Sequence, residues 1–313
     1  MPKPKRLLSV VTLAALAALT AGCTAPGGAA ATRPSAEAGA PEASAPSEGL
    51  PGDVEAALVE LEERHDVTVG VSVHSAQGAE LAYNADERFG YASTLKAFAG
   101  AALLATLSAS GRSATVTWTQ DDIDAAGYSP VTTAHLGDGL SLAMLAESAV
   151  RESDNTAMNL VMRAIGGPGG LEAFLRSLGD EHTLVSAEEP ELNDSAPGEP
   201  AHTTTPDAFA AALQAVFEDD HLSADDALTL EEWMSGNATG DALIRASAPA
   251  DWEVADKSGG AGGVRNDIAV VTTPAGERLF VAILTATNDP DASYDDAVVA
   301  EAASVVFEGI ARR

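Results

Sequence analysis

Only four lysines occur in this 313-residue chain, and two of them, Lys3 and Lys5, sit at its start. The other two are Lys96, in YASTLKAFAG, and Lys257, which opens K-S-G in ADKSGG. Lys96 follows Ser93 by three residues. If Ser93 opens a helix, the two side chains share a face with Cβ atoms ~5–6 Å apart. A serine hydroxyl is a poor nucleophile until a neighbour takes its proton. Lysine can take it when burial or nearby positive charge lowers its pKa, whereas arginine stays protonated. The spacing therefore permits a serine nucleophile with a lysine base. By itself, S-x-x-K is also common on exposed helix surfaces.

Between the two lysines stands S153-D154-N155, in RESDNTAMNL. Its serine could relay a proton and its asparagine could hold a substrate carbonyl. Read singly, S-D-N is a helix N-cap and K-S-G-G is a turn. The six histidines show no ligand spacing, which disfavours a zinc enzyme. No G-x-S-x-G occurs, which disfavours an α/β-hydrolase. GGPGG at 166–170 lacks the strand and lysine of a phosphate loop and reads as a helix-to-helix turn. No metal or cofactor is implied.

The elements that must position these groups follow from periodicity. GDVEAALVELEERHD places Val54, Ala57, Leu58 and Leu61 on one helical face. VTVGVSVHS (67–75) and AELAYN (79–84) read as strands joined at Gln77-Gly78. The pattern is helical from 93 to about 233. Strands return at 252–258, 264–273 and 278–287, before a last helix at about 293–311. Strands at both ends of the chain predict an α/β (α+β) fold: an antiparallel five-stranded sheet flanked by helices, plus a mostly helical second lobe. The sheet lobe is expected over about 51–90 and 235–313, and the helical lobe over about 91–234. A ligand belongs in the groove between them.

The N-terminus differs. MPKPKR, an apolar run and LTAGC read as an export signal over residues 1–22. LTAGC also resembles a lipobox, with Thr20 where an aliphatic residue is usual, making Cys23 the expected lipidation site. Cys23 is the only cysteine, so no internal disulfide is possible. Residues 23–50 are poor in bulky side chains and read as a disordered tether. The net charge of −30 opposes binding to nucleic acid or an anionic membrane surface. Membrane association is expected only through Cys23, on an exported, surface-bound or secreted monomer.

S-x-x-K, S-D-N and K-S-G in this order are the triplet set of class A β-lactamases and penicillin-binding proteins. The chain resembles a class A serine β-lactamase over roughly residues 52–312. ERFGYASTLK, YSPVT (128–132), NLVMRAIGGPGGLEAFLRSLGD, EPELN (189–193) and DKSGG followed by RNDIAV carry the likeness. The resemblance implies that Ser93 is acylated by the β-lactam, with Lys96 as its base or proton relay. Glu189, aided by Asn193, would activate the water that breaks the acyl-enzyme. Ser153 would protonate the leaving nitrogen. Asn155 would bind the substrate amide, and Tyr128 would form a wall. The N–H groups of Ser93 and Gly260 would form the oxyanion hole. Lys257, Ser258 and Arg265 would meet the substrate carboxylate.

Two departures bear on this expectation. The arginine–aspartate pair that usually staples the Glu189 loop is absent, because Ala187 and His202 occupy its positions. LVSA replaces the usual lead-in, and Glu188 precedes Glu189. The loop is expected to be looser or held by other contacts. The stretch from Lys257 to Arg265 is also one residue shorter than the common pattern. Two other readings remain at this point. A penicillin-binding D-Ala-D-Ala peptidase would share the triplets but has no need of EPELN. A non-catalytic lipoprotein would have no need of the complete set of side chains.

Overall fold

A computed structural model of the chain describes residues 51–195, 199–289 and 291–312. The expected signal, Cys23 and the tether lie outside the described residues. Five strands form one antiparallel sheet: β1 Val67–Ser75, β2 Gly78–Tyr83, β3 Glu253–Ala261, β4 Val264–Thr272 and β5 Arg278–Thr287. The order across the sheet is β2-β1-β5-β4-β3. Strands from both ends of the chain therefore interleave, and β3, which carries Lys257, is an edge.

Alternation along the strands builds two apolar layers. Val69, Val71 and Val73 of β1 and Val281 and Ile283 of β5 face one way. They pack with Leu58 and Leu61 of helix α1 (Gly52–His65) and with Val299 and Val306 of the C-terminal helix α8 (Asp296–Ala311). Phe280, Ala282 and Leu284 of β5 face the other way, with Ile268 and Val270 of β4, into the cluster that runs through the helical block.

That block is centred on α2 (Leu95–Thr106), in which every residue from Leu95 to Leu104 is buried. Around it lie α3 (Leu142–Arg151), α4 (Asn155–Ala164), α5 (Gly167–Ser177), α6 (Pro206–Glu218) and α7 (Ala224–Ser235). Small residues in AGAALLA let neighbours approach closely; a Cβ on Gly100 would stand 3.1 Å from Val150. Helix α6 seats directly on the sheet. A Cβ on Gly70 of β1 would meet the Phe89 ring at 2.5 Å and Pro206 at 2.6 Å. The sheet and helical lobes thus share one continuous apolar cluster, and the functional groups sit where β3 meets the start of α2.

Two local expectations shift. The β1–β2 turn falls on Ala76-Gln77, with Gly78 at φ +108° opening β2. GGPGG is mostly helix: Gly166, at φ +103°, breaks the chain direction, and α5 starts at Gly167 with Pro168 in its first turn. Proline suits that turn because its missing N–H would have no helical partner there. No helix among the described residues is long and apolar enough to cross a membrane.

Candidate active site

Ser93 lies in a single 3-10 turn, Ala92–Thr94, that runs into α2. Ala92 has a left-handed backbone, φ +46°, which bends the chain sharply just before the serine. Lys96 follows in the first turn of α2 and is fully buried. Its three ammonium hydrogens have three good acceptors: Ser93 Oγ at 2.7 Å, Asn155 Oδ1 at 2.6 Å and the Ser153 carbonyl at 3.0 Å. The carboxylate of Glu189 also reaches it, with Oε1 2.9 Å from Nζ. Glu189 is 3% exposed, and that Oε1 accepts no protein hydrogen bond. The open lone pair of this buried carboxylate oxygen thus lies beside the Lys96 ammonium.

The S-D-N triplet is both a cap and part of the site. Asp154 caps α4, accepting from Ala157 N at 2.8 Å. Its wholly buried carboxylate also accepts from Val131 N at 2.9 Å, Thr132 N at 2.8 Å and Thr132 Oγ1 at 2.9 Å. This network holds Ser153 at φ +57°, a conformation costing a non-glycine residue about 1–3 kcal/mol. The strained turn aims Ser153 Oγ between the two lysines, 3.4 Å from Lys96 Nζ and 3.2 Å from Lys257 Nζ. Asn155, on the other side of the cap, spends its amide on the Ala126 carbonyl at 2.9 Å and turns Oδ1 to Lys96.

Lys257 is fully buried on edge strand β3, where Nζ donates to the Ser258 carbonyl at 2.7 Å. Burial first, and then the positive charge of Lys96, pull its pKa down to about 7. Behind the strand, Asp256 pairs with Arg245 and accepts from Asn237 at 2.6 Å. Asp267 is pushed well above the usual carboxylate range by burial and by the neighbouring Asp256 charge. Gly259 explains the glycine of K-S-G: a Cβ there would stand 2.8 Å from Thr94 N and 3.0 Å from Ser93 N. The β3 backbone is pressed against the turn that carries Ser93.

The shortened β3–β4 connection is a two-residue turn at Gly262-Gly263, which leaves Arg265 directly opposite Gly260. Arg265 Nε donates to Asp296 Oδ1 at 2.6 Å, and its guanidinium lies 5.0 Å from the centre of the Tyr294 ring. Ser258 Oγ bonds to Thr239 Oγ1 at 2.6 Å.

The Glu189 loop is held by other contacts than the absent charge pair. Asn159 grips the Glu189 backbone from both sides, donating to its carbonyl and accepting from its N–H, each at 2.8 Å. Asn193 Nδ2 donates to Glu189 Oε2 at 2.7 Å. Glu188 takes Arg163 bidentately, at 3.0 and 2.6 Å. His202, where the aspartate was expected, ties Ser186 Oγ at 2.8 Å and the Asp194 carbonyl at 3.1 Å. The Glu189-Pro190 peptide is cis.

Ser93, Tyr128, Ser153, Asn155, Glu189, Asn193, Ser258, Gly260 and Arg265 all line one groove with a cavity volume of about 250 Å³, and Lys96 and Lys257 are buried beneath it. Thr239 and Tyr294 line it too and were not anticipated. Neither belongs to a motif; only the fold brings them to β3. Asn159 was also missed, although an amide on the buried face of α4 between Met158 and Met162 was a legible oddity.

The profile of the β-lactamase enzyme family matches residues 53–310. The chain belongs to this family. A β-lactamase of Bacillus subtilis (strain 168) is 43% identical over 255 residues, which cover 81% of this chain and 83% of that one. β-Lactamase 1 of Bacillus cereus is 42% identical over 252 residues, covering 80% and 81%. Among solved structures, a class A β-lactamase from Clostridium kluyveri DSM 555 superposes with a TM-score of 0.78 at 38% identity, covering 82% of this chain and 98% of that one. A β-lactamase from Streptosporangium roseum gives 0.80 at 35%, covering 84% and 100%. The chain is a class A serine β-lactamase. Its reaction is opening of the β-lactam ring, which confers resistance to those antibiotics.

The close approach at Gly259 gives a direct test of this β-lactamase site. Gly259→Ala is expected to push β3 off the Ser93 turn and lower kcat/KM by about 100-fold or more, the scale of losing one oxyanion donor. Steady-state kinetics on a folded variant check it; a change under threefold would mean the contact does not position the groove.

Proposed function

We propose that Ser93 Oγ attacks the lactam carbonyl carbon while its proton leaves toward Lys96 Nζ. The reading is supported above all by one observation: a buried ammonium 2.7 Å from Ser93 Oγ and 2.9 Å from Glu189 Oε1. A proton accepted from Ser93 by Lys96 can be matched by one passed from Lys96 to Glu189, so the pair takes it up by either route. The carbonyl oxygen would be held by the N–H groups of Ser93 and Gly260, each such donor contributing about 3 kcal/mol to the transition state.

The C–N bond then breaks and the nitrogen takes a proton from Ser153 Oγ, which Lys257 at 3.2 Å can resupply. A lysine titrating near neutrality exchanges a proton readily. Before the second half, the proton held by Glu189 returns through Lys96 and Ser153, 3.4 Å apart, to Lys257, which restores the carboxylate. Glu189 then takes a proton from a water that Asn193 helps to hold. The hydroxide adds to the acyl carbon, the Ser93 ester bond breaks, and the proton that Glu189 took from the water returns through Lys96 to Ser93. Net, one water is added across the lactam C–N bond. Asn155 would bind the side-chain amide of the antibiotic, and Tyr128, 59% exposed, would wall the entrance. Lys257, Ser258 and Arg265 would receive the carboxylate.

The same reading takes residues 1–22 as an export signal, Cys23 as a lipid anchor ahead of a tether, and the enzyme as a surface-bound or secreted monomer. The basic start, the short apolar run and LTAGC support it.

Purified protein mixed with a chromogenic cephalosporin should show sustained turnover, and Glu189→Ala should accumulate a covalent adduct on Ser93 visible in the intact mass. A wild-type adduct that never turns over would favour a peptidase-like role, and unchanged turnover in Glu189→Ala would remove that residue from deacylation. The pH profile carries a second expectation. Lys257 loses its proton as pH rises through about 7, so its positive charge is present below that pH and fades above it. kcat/KM for a carboxylate-bearing substrate should fall on the alkaline side near pH 7, and Lys257→Arg should lose that limb because its guanidinium does not titrate. An identical alkaline limb in both proteins would contradict the assignment.

A further inference from the structure

Tyr294 belongs to no motif, yet its ring lies in the groove against two groups that the proposed reaction uses. One is Arg265, whose guanidinium carbon is 5.0 Å from the ring centre. The other is Gly260: a Cβ built there would be 3.0 Å from Tyr294 Cε1, 3.1 Å from Cζ and 3.1 Å from Arg265 Nη1. The ring and the guanidinium would each have to give by a few tenths of an ångström to admit a Cβ at 260.

We infer that Tyr294 is the positioning residue that holds Arg265 for the substrate carboxylate, and that Gly260 is the glycine that makes room for it. The inference rests on the proposed role of Arg265. An aromatic face holds a guanidinium through its π surface and leaves the in-plane N–H groups unused. Arg265 has five such donors. Nε is taken by Asp296 at 2.6 Å, and Nη2 reaches the Thr239 carbonyl at 3.4 Å. Among the described residues Nη1 meets no acceptor, and it is the nitrogen that lies beside Gly260. The ring and the two bonded nitrogens therefore hold the cation, and Nη1 stays without a protein acceptor in the groove lining.

The arrangement selects for an anion. A planar carboxylate fits a fixed fork of N–H donors better than a neutral ester does, because only the anion gains the charge-assisted bonds. The shortened β3–β4 turn strengthens the dependence. With Arg265 directly opposite Gly260, its guanidinium lies beside that glycine and over the Tyr294 ring.

The test compares a chromogenic cephalosporin with its carboxyl methyl ester on wild type, Tyr294→Ala, Tyr294→Phe and Gly260→Ala. In Tyr294→Ala, KM for the free acid should rise about five- to tenfold with a smaller change in kcat, and the preference for acid over ester should shrink by the same factor. Tyr294→Phe should keep the wild-type preference, because the ring face suffices. Gly260→Ala should lose it, and the double variant Gly260→Ala, Tyr294→Ala should lose no more than either single one. A merely structural role would depress acid and ester equally and would overturn the proposal. So would an unchanged acid-to-ester ratio in Tyr294→Ala, or fully additive effects in the double variant. Failure of wild type to form any Ser93 adduct would overturn the proposed reaction instead, and the two outcomes are separable by mass. An Arg265→Ala control that left the acid-to-ester ratio unchanged would place the fault in the assumed role of Arg265.

Discussion

The ammonium of Lys96 is buried without access to solvent, and the arrangement of the site follows from what such a charge requires. A lone charge in a protein interior costs several kcal/mol, so it must be met by fixed acceptors and a counter-charge. Three chain segments supply them: the Ser93 turn, the stretch from Ser153 to Asn155, and the Glu189 loop. Each must stay within about 3 Å of one nitrogen. The strained backbones at Ala92 and Ser153 and the reciprocal Asn159–Glu189 clamp are the means by which the fold meets that constraint. A surface serine three residues before a lysine would have none of them.

A second constraint is close approach. Edge strand β3 has to bring Lys257 and Gly260 against the Ser93 turn, and the sheet has to carry α6 on its inner face. Missing side chains make both possible, Gly259 in the first case and Gly70 in the second. Lys257 then lies near enough to feel the charge of Lys96, which together with burial brings its pKa to about 7. The two lysines that the chain retains in place of arginine are thus electrostatically linked across Ser153. Arginine at 96 could not give up a proton.

Local pattern made the scaffold legible. β1 and β5 fall at 67–75 and 278–287 as the alternation of apolar residues requires, because a strand buried on both faces has little freedom in its limits. The turn at Ala76-Gln77 and the start of α5 inside GGPGG were displaced by one to a few residues, since glycine permits several turn geometries and only the packing chooses. The motif residues converge because short spacing fixes their relative positions within each triplet. Thr239 and Tyr294 were invisible for the converse reason: they reach the groove from segments whose approach depends on the whole sheet. The missing charge pair at Ala187 and His202 was visible, but its replacement by the Ser186–His202–Asp194 bridge and by Arg163–Glu188 was not, because those contacts join residues distant in the chain.

The proposed reaction depends on Lys96 carrying a proton for Ser93, and not on its positive charge alone. Rapid-mixing mass spectrometry of Lys96→Arg against wild type, with an unfolding scan to verify the fold, tests it most directly. The account predicts that adduct formation on Ser93 slows by about 1,000-fold or more, within the scale of lost proton transfer together with disturbed alignment. Acylation of a folded Lys96→Arg protein within about tenfold of the wild-type rate would contradict it.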